Sequence, residues 1–124
     1  MRFLIADDTD VLRARLVDII SEIKGTEIVG EARNLEEVME AVEKLSPDVV
    51  ILDIRMPGGN GFTALEQIKK RENPPIVIMF TNYPFLQYRK RSMVLGADYF
   101  FYKAIEFEKL VGLITDLIKA QKLS

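Results

Sequence analysis

Five positions in this chain could do chemistry together: Asp7 and Asp8, Asp53, Thr81 and Lys103. Each follows a short apolar run that reads as a strand, so each sits where a strand stops. A carboxylate at the end of a buried strand is costly unless a charged or hydrogen-bonding group meets it. One such Asp could simply bind local backbone N–H groups and start a loop. Four strand ends that all carry a chemically capable residue are hard to explain by packing. Asp7, Asp8 and Asp53 brought together would repel by about 1 kcal/mol per pair at about 4 Å in water, and by about 4 kcal/mol at an effective dielectric of about 20. A divalent cation removes that cost. Oxygen ligands without His or Cys select a hard ion, and a site with few carboxylates and room for waters suits Mg²⁺ better than Ca²⁺. Thr81 offers a hydroxyl donor and Lys103 a point charge, which together could hold a phosphoryl group beside the metal.

To converge, these residues need a scaffold that lays several strand ends side by side. Arg2 to Ala6 reads as the first strand. A helix capped by Thr9 or Asp10 then runs to about Lys24, with Leu12, Leu16, Ile19, Ile20 and Ile23 at three- and four-residue steps and Gly25 just past its end. Glu27 to Ala32 is weaker strand material, broken by Gly30 and charged at both ends, as an edge strand is. Asn34 caps a second helix with Leu35, Val38, Met39, Val42 and Leu45 on one face, closed by Ser46-Pro47. Val49 to Leu52 reads as a strand buried on both faces, and Pro57-Gly58-Gly59-Asn60-Gly61 ends it in a loop.

The third helix starts near Gly61, with Phe62, Leu65 and Ile68 inward and Glu66, Lys69, Lys70 and Arg71 outward, and Asn73-Pro74-Pro75 stops it. Ile76 to Phe80 is a second fully apolar strand. Pro84 suits the first turn of a fourth helix, about Phe85 to Leu95, whose apolar face is the least regular and whose middle is Arg89-Lys90-Arg91. Asp98 to Tyr102 is an aromatic strand, and Phe107, Leu110, Val111, Ile114, Leu117 and Ile118 mark a last helix. Five strands alternating with five helices imply an α/β fold, a doubly wound five-stranded parallel sheet of order 2-1-3-4-5 with helices on both faces. Ligands in such a sheet bind outside the carboxyl ends of the strands, at the switch point between the first and third.

Composition narrows the function classes. The 124 residues fit one domain, residues 1–124. A net charge of -2 gives no general pull toward nucleic acid or an anionic membrane, and no apolar run approaches a membrane span. With no signal-peptide pattern either, a cytoplasmic location is expected. The chain has neither Cys nor His, which excludes thiolate chemistry, His ligands and a role as a phosphohistidine carrier.

The acid pair Asp7-Asp8, the run Asp53-Ile54-Arg55-Met56-Pro57-Gly58-Gly59-Asn60-Gly61, Thr81, Gly96-Ala97-Asp98 and Lys103 resemble, in order and over the whole chain, the receiver domains of two-component response regulators. The resemblance implies the CheY-like (flavodoxin-like) version of this fold. By that resemblance Asp53 is the phosphoacceptor, taking a phosphoryl group in line from the histidine of a sensor histidine kinase or phosphotransfer protein. Asp8, Asp53 and the backbone carbonyl of Arg55 hold Mg²⁺, and Asp7 acts mostly through a bound water. Thr81 and Lys103 contact the phosphoryl oxygens, and Phe100 is the aromatic that turns inward as the hydroxyl draws toward the phosphate. Most relatives follow the lysine with a cis proline, whereas Ala104 stands here, and cis geometry costs about 2.5 to 4 kcal/mol without proline. Arg55 and Tyr83 occupy positions at the site mouth that tune loss of the phosphate, and their bulk is expected to shield it.

No DNA-binding segment follows the last helix, so a stand-alone receiver is expected, contacting no nucleic acid and no membrane. Its output is binding of an unidentified effector protein, or a homodimer, through the fourth helix, fifth strand and fifth helix. It is not an enzyme beyond its own phosphoryl transfer and slow autodephosphorylation. Two alternatives stand beside this: a receiver-like interaction module indifferent to phosphate, and the receiver part of a larger transcription regulator. A flavodoxin relative would need a hydroxyl- and Gly-rich phosphate loop where Asp7-Asp8-Thr9-Asp10 stands, and a phosphatase would need a carboxylate to activate water.

Overall fold

The computed structural model describes residues 1–123. Alternation along the central strands divides the core in two. In β1 (Arg2–Ala6), Phe3 and Ile5 point to one face of the sheet while Leu4 and Ala6 point to the other; β3 (Val49–Leu52) and β6 (Ile76–Thr81) divide the same way. Both faces of these strands are therefore buried, as their unbroken apolar sequence requires. One face is covered by α2 (Leu35–Leu45) and α3 (Gly61–Lys69), the other by α1 (Asp10–Ser21) and α5 (Phe107–Leu123). The sheet is parallel, with β2 (Glu27–Ala32) at one edge and β7 (Tyr99–Tyr102) at the other, in the order β2-β1-β3-β6-β7. Counting only these five strands, that is the expected 2-1-3-4-5.

The helices start where their caps dictate. Asn34 accepts from the Glu37 N–H at 2.8 Å, and Asn60 accepts from Thr63 at 3.1 Å. Thr9 occupies the N-cap of α1 without a side-chain capping bond, and that helix ends at Ser21 instead of the expected Lys24. Its C-cap is Glu22, so Gly25, at φ 99°, belongs to the turn beyond. Lys69 is not outward as expected. Its ammonium bonds the Pro75 carbonyl at 2.9 Å and Asp98 at 2.7 Å, because Asp98 also binds the Val77 N–H and draws the cation in.

Two features escaped the periodicity. A two-residue hairpin, β4 (Arg55–Met56) with β5 (Gly59–Asn60), shapes the loop after Asp53. The fourth helix, α4 (Leu86–Val94), buries only Ser92 fully and starts two residues after Pro84. It is held through rings instead: Tyr88 meets Phe62, Tyr83 and Phe85 edge-on at 5.7, 6.3 and 5.3 Å. The Lys103–Ala104 bond is trans, as are all peptide bonds among the described residues.

Candidate functional site

Each candidate side chain is fixed by a ladder bond just past a strand end. The Asp7 N–H donates to Ala32 at 3.0 Å, Asp53 to Ala6 at 3.2 Å, and Lys103 to Thr81 at 2.8 Å. Four adjacent strand termini are thus tied in register, and the residues at their ends meet. Carboxylate oxygens of Asp7, Asp8 and Asp53 all lie within 4.8 Å of one another. Asp7 and Asp53 are buried at 1% and 7% exposure, and Asp8 is exposed. The Lys103 ammonium, also buried, donates to Oδ2 of Asp7 and to Oδ2 of Asp53, the latter at 2.7 Å. Three carboxylates facing one ammonium leave an excess of negative charge at neutral pH.

That imbalance shows in the protonation equilibria. Burial pushes the Asp53 carboxyl above its usual range, against the pull of Lys103; the Asp7 charge adds to the rise and the nearby Thr81 hydroxyl opposes it. Burial works against the Lys103 ammonium too, but Asp53 and Asp7 more than offset it and raise its pKa. One atom is left over. Oδ1 of Asp53 is buried and has no hydrogen-bond partner, a costly state for a carboxylate oxygen. An unpartnered oxygen beside two more carboxylates fits a hard divalent cation, and the all-oxygen donor set fits Mg²⁺.

The surrounding backbone explains why the acceptor loop has its composition. A Cβ on Gly61 would lie 2.2 Å from the Asp53 carbonyl oxygen and 2.8 Å from Ile54 Cα, both backbone atoms that cannot swing aside. Gly61 also donates to the Ile54 carbonyl at 2.5 Å, so α3 begins in contact with the acceptor residue. Arg13, not singled out in the sequence, donates to the Asp7 carbonyl at 2.8 Å while pairing with Asp10 and Glu31. Its only signal was a cation one turn into the helix after the acids.

Thr81 is fully buried, and its hydroxyl oxygen accepts from the Tyr83 N–H at 3.3 Å. Arg55 and Tyr83 are at the mouth, and the Arg55 guanidinium lies over the Tyr83 ring, 5.0 Å from its centre. Phe100 stands apart from the carboxylates. It is 4% exposed on β7, packed edge-on against Tyr102 at 5.1 Å and covered by Arg89 at 5.9 Å, so the expected inward turn has no exposed starting position here. The basic run of α4 is likewise less free than its sequence suggests: Arg91 lies 5.1 Å over Phe62.

Residues 3–115 match the model of the response regulator receiver domain. The chain is 40% identical over 82 residues to a protein-glutamate methylesterase/protein-glutamine glutaminase of Alkalilimnicola ehrlichii, covering 66% of this chain and 21% of that protein. It is 32% identical over 111 residues to the sensory transduction protein LytT of Bacillus anthracis, covering 90% of this chain and 44% of that one. The chain therefore spans less than half the length of these relatives. Its fold superposes on a chain of the CheX-CheY-BeF3-Mg+2 complex of Borrelia burgdorferi with a TM-score of 0.83 at 28% identity, covering 94% of this chain and 88% of that one.

Proposed function

The chain belongs to the response regulator receiver domain family, and from that premise we propose that it is a phosphorylation-dependent switch in which Asp53 accepts a phosphoryl group from the histidine of a sensor kinase or phosphotransfer protein. The observation that carries this reading is the state of Asp53: Oδ2 is held by Lys103 while Oδ1 is buried and unpartnered. A carboxylate with one oxygen anchored and the other uncommitted is oriented as a nucleophile and as a ligand. In the transfer, an Asp53 oxygen attacks phosphorus in line, the P–N bond breaks, and its electron pair stays on the imidazole nitrogen of the donor. Lys103 supplies a positive charge for the phosphoryl oxygens. Thr81 accepts from the Tyr83 N–H, so its hydroxyl hydrogen is free to donate to them.

Asp8, Asp53 and the Arg55 carbonyl would hold Mg²⁺, with Asp7 acting through a bound water; when bound, the metal neutralises charge on the transferring phosphoryl group. The Borrelia burgdorferi neighbour, a complex with BeF3 and Mg+2, supports this assignment by similarity. The response is read on the surface of α4, β7 and α5, where Phe85, Leu86, Met93 and Val94 are exposed apolar side chains, by an effector protein or a second copy. A cytoplasmic location accords with this role, and no helix among the described residues is long and apolar enough to cross a membrane.

The test is transfer from a phosphorylated histidine phosphotransfer domain in Mg²⁺. Label should leave the donor and appear on the wild-type chain only. Equal labelling of Asp53→Asn would refute the assignment, and phosphate-independent effector binding would support an interaction module instead.

A further inference from the structure

The geometry points to Arg55 as a phosphoryl-contacting residue that Tyr83 holds in reserve, with the two acting in opposite directions on the phosphorylated state. The inference rests on Asp53 being the acceptor. Arg55 lies two residues beyond Asp53 at the start of β4, and it is exposed, with no carboxylate partner among the ion pairs of the described residues. Its guanidinium lies over the Tyr83 ring instead. That ring is half-buried and fixed from behind by Tyr88 of α4, which is itself wedged against Phe62 and Phe85. Tyr83 is therefore a rigid platform, whereas Arg55 is a long side chain on a two-residue hairpin strand.

A phosphoryl group on Asp53 would place a dianion within reach of this cation. Guanidinium is suited to bidentate bonding to phosphate, and a charge-assisted bond is stronger than an exposed cation–π contact. Arg55 then leaves the ring for the phosphoryl oxygens. There it obstructs hydrolysis, in which water attacks phosphorus, the P–O bond to Asp53 breaks, the carboxylate leaves with the electron pair, and the water protons pass to phosphate and solvent. Tyr83 competes for the same guanidinium, so it weakens this protection. Simple shielding by bulk predicts the reverse for Tyr83.

The experiment follows loss of the phosphoryl group by intact mass. Wild type, Arg55→Met, Tyr83→Leu and the double variant are each loaded with acetyl phosphate in Mg²⁺ and then freed of reagent. Arg55→Met should shorten the lifetime severalfold. Tyr83→Leu should lengthen it by about two- to fivefold, the worth of an exposed cation–π contact. In the double variant the Tyr83 effect should vanish, leaving the Arg55→Met lifetime. Arg55→Lys, which keeps the charge without the fork, should fall between wild type and Arg55→Met. A Tyr83→Leu lifetime that is unchanged or shortened overturns the inference, as does a Tyr83 effect that persists undiminished without Arg55. If wild type takes up no phosphoryl group, the receiver reading fails and the exchange with it, and that outcome is visible before any decay is measured.

Discussion

Replacing Lys103 with Met removes the one cation that bridges Asp7 and Asp53 while keeping most of the side-chain volume. Both acids are buried, and the Lys103 side chain is 8% exposed, so solvent screens these pairs little. Removing one partner of a buried ion pair costs about 3–5 kcal/mol, because the remaining charge stays desolvated. That range applies to metal-free Lys103→Met near neutral pH, measured as urea unfolding. The Lys103 pKa is raised above 10.5, so its contribution is fully present at and below that value and is lost only in stronger alkali. The pH dependence therefore comes from the acids. Burial already lifts Asp53 above 3.8, and loss of Lys103 lifts it further. An acid whose folded pKa exceeds its unfolded value costs stability above that window, and the cost fades as pH falls through it. The gap between variant and wild type should thus narrow on acidification, and Mg²⁺ should stabilise the variant more than the wild type because no ammonium competes for the carboxylates. A variant as stable as wild type without Mg²⁺, or one that gains no more from the metal, would refute the reasoning.

Three further outcomes follow. Asp53→Asn should cost the metal-free fold little at neutral pH, since an ionised Asp53 is itself unfavourable there, yet its melting temperature should no longer rise with Mg²⁺ as wild type's does. Mg²⁺ titrations of the wild type should show affinity falling as pH drops through the raised Asp53 value, above 3.8, because the ligand must be ionised; no pH dependence in that range would count against Asp53 as a ligand. Gly61→Ala should destabilise by about 1–3 kcal/mol and misplace the acceptor, measured as a lower urea midpoint with slower acetyl phosphate uptake, because the added methyl meets fixed backbone.

The sheet was legible because its strands are short, uninterrupted apolar runs with charge placed just beyond them. Glu27 and Gly30 marked the edge strand, and Asn34 marked a helix start that its side chain does cap. Asp7, Asp8, Asp53, Thr81 and Lys103 were legible as a set because a doubly wound topology forces strand ends together. What was missed depends on contacts that no local pattern encodes. The β4–β5 hairpin is only two residues per strand, too short for periodicity. Lys69 turns inward for Asp98, twenty-nine positions away. The α4 helix is fixed by rings from three other segments, so its own residues show no apolar face. Likewise the Arg55–Tyr83 stack joins two loops, and only bulk at the two positions was visible beforehand.

The central claim is that Asp53 takes up a phosphoryl group in a metal-dependent reaction. Its most direct test is intact mass after incubation with acetyl phosphate, with and without Mg²⁺, for wild type and Asp53→Asn. The account predicts a labile gain of one phosphoryl group in wild type that requires Mg²⁺ and is absent in the variant. A gain of the same size in Asp53→Asn, or no gain in wild type with Mg²⁺ present, would contradict it.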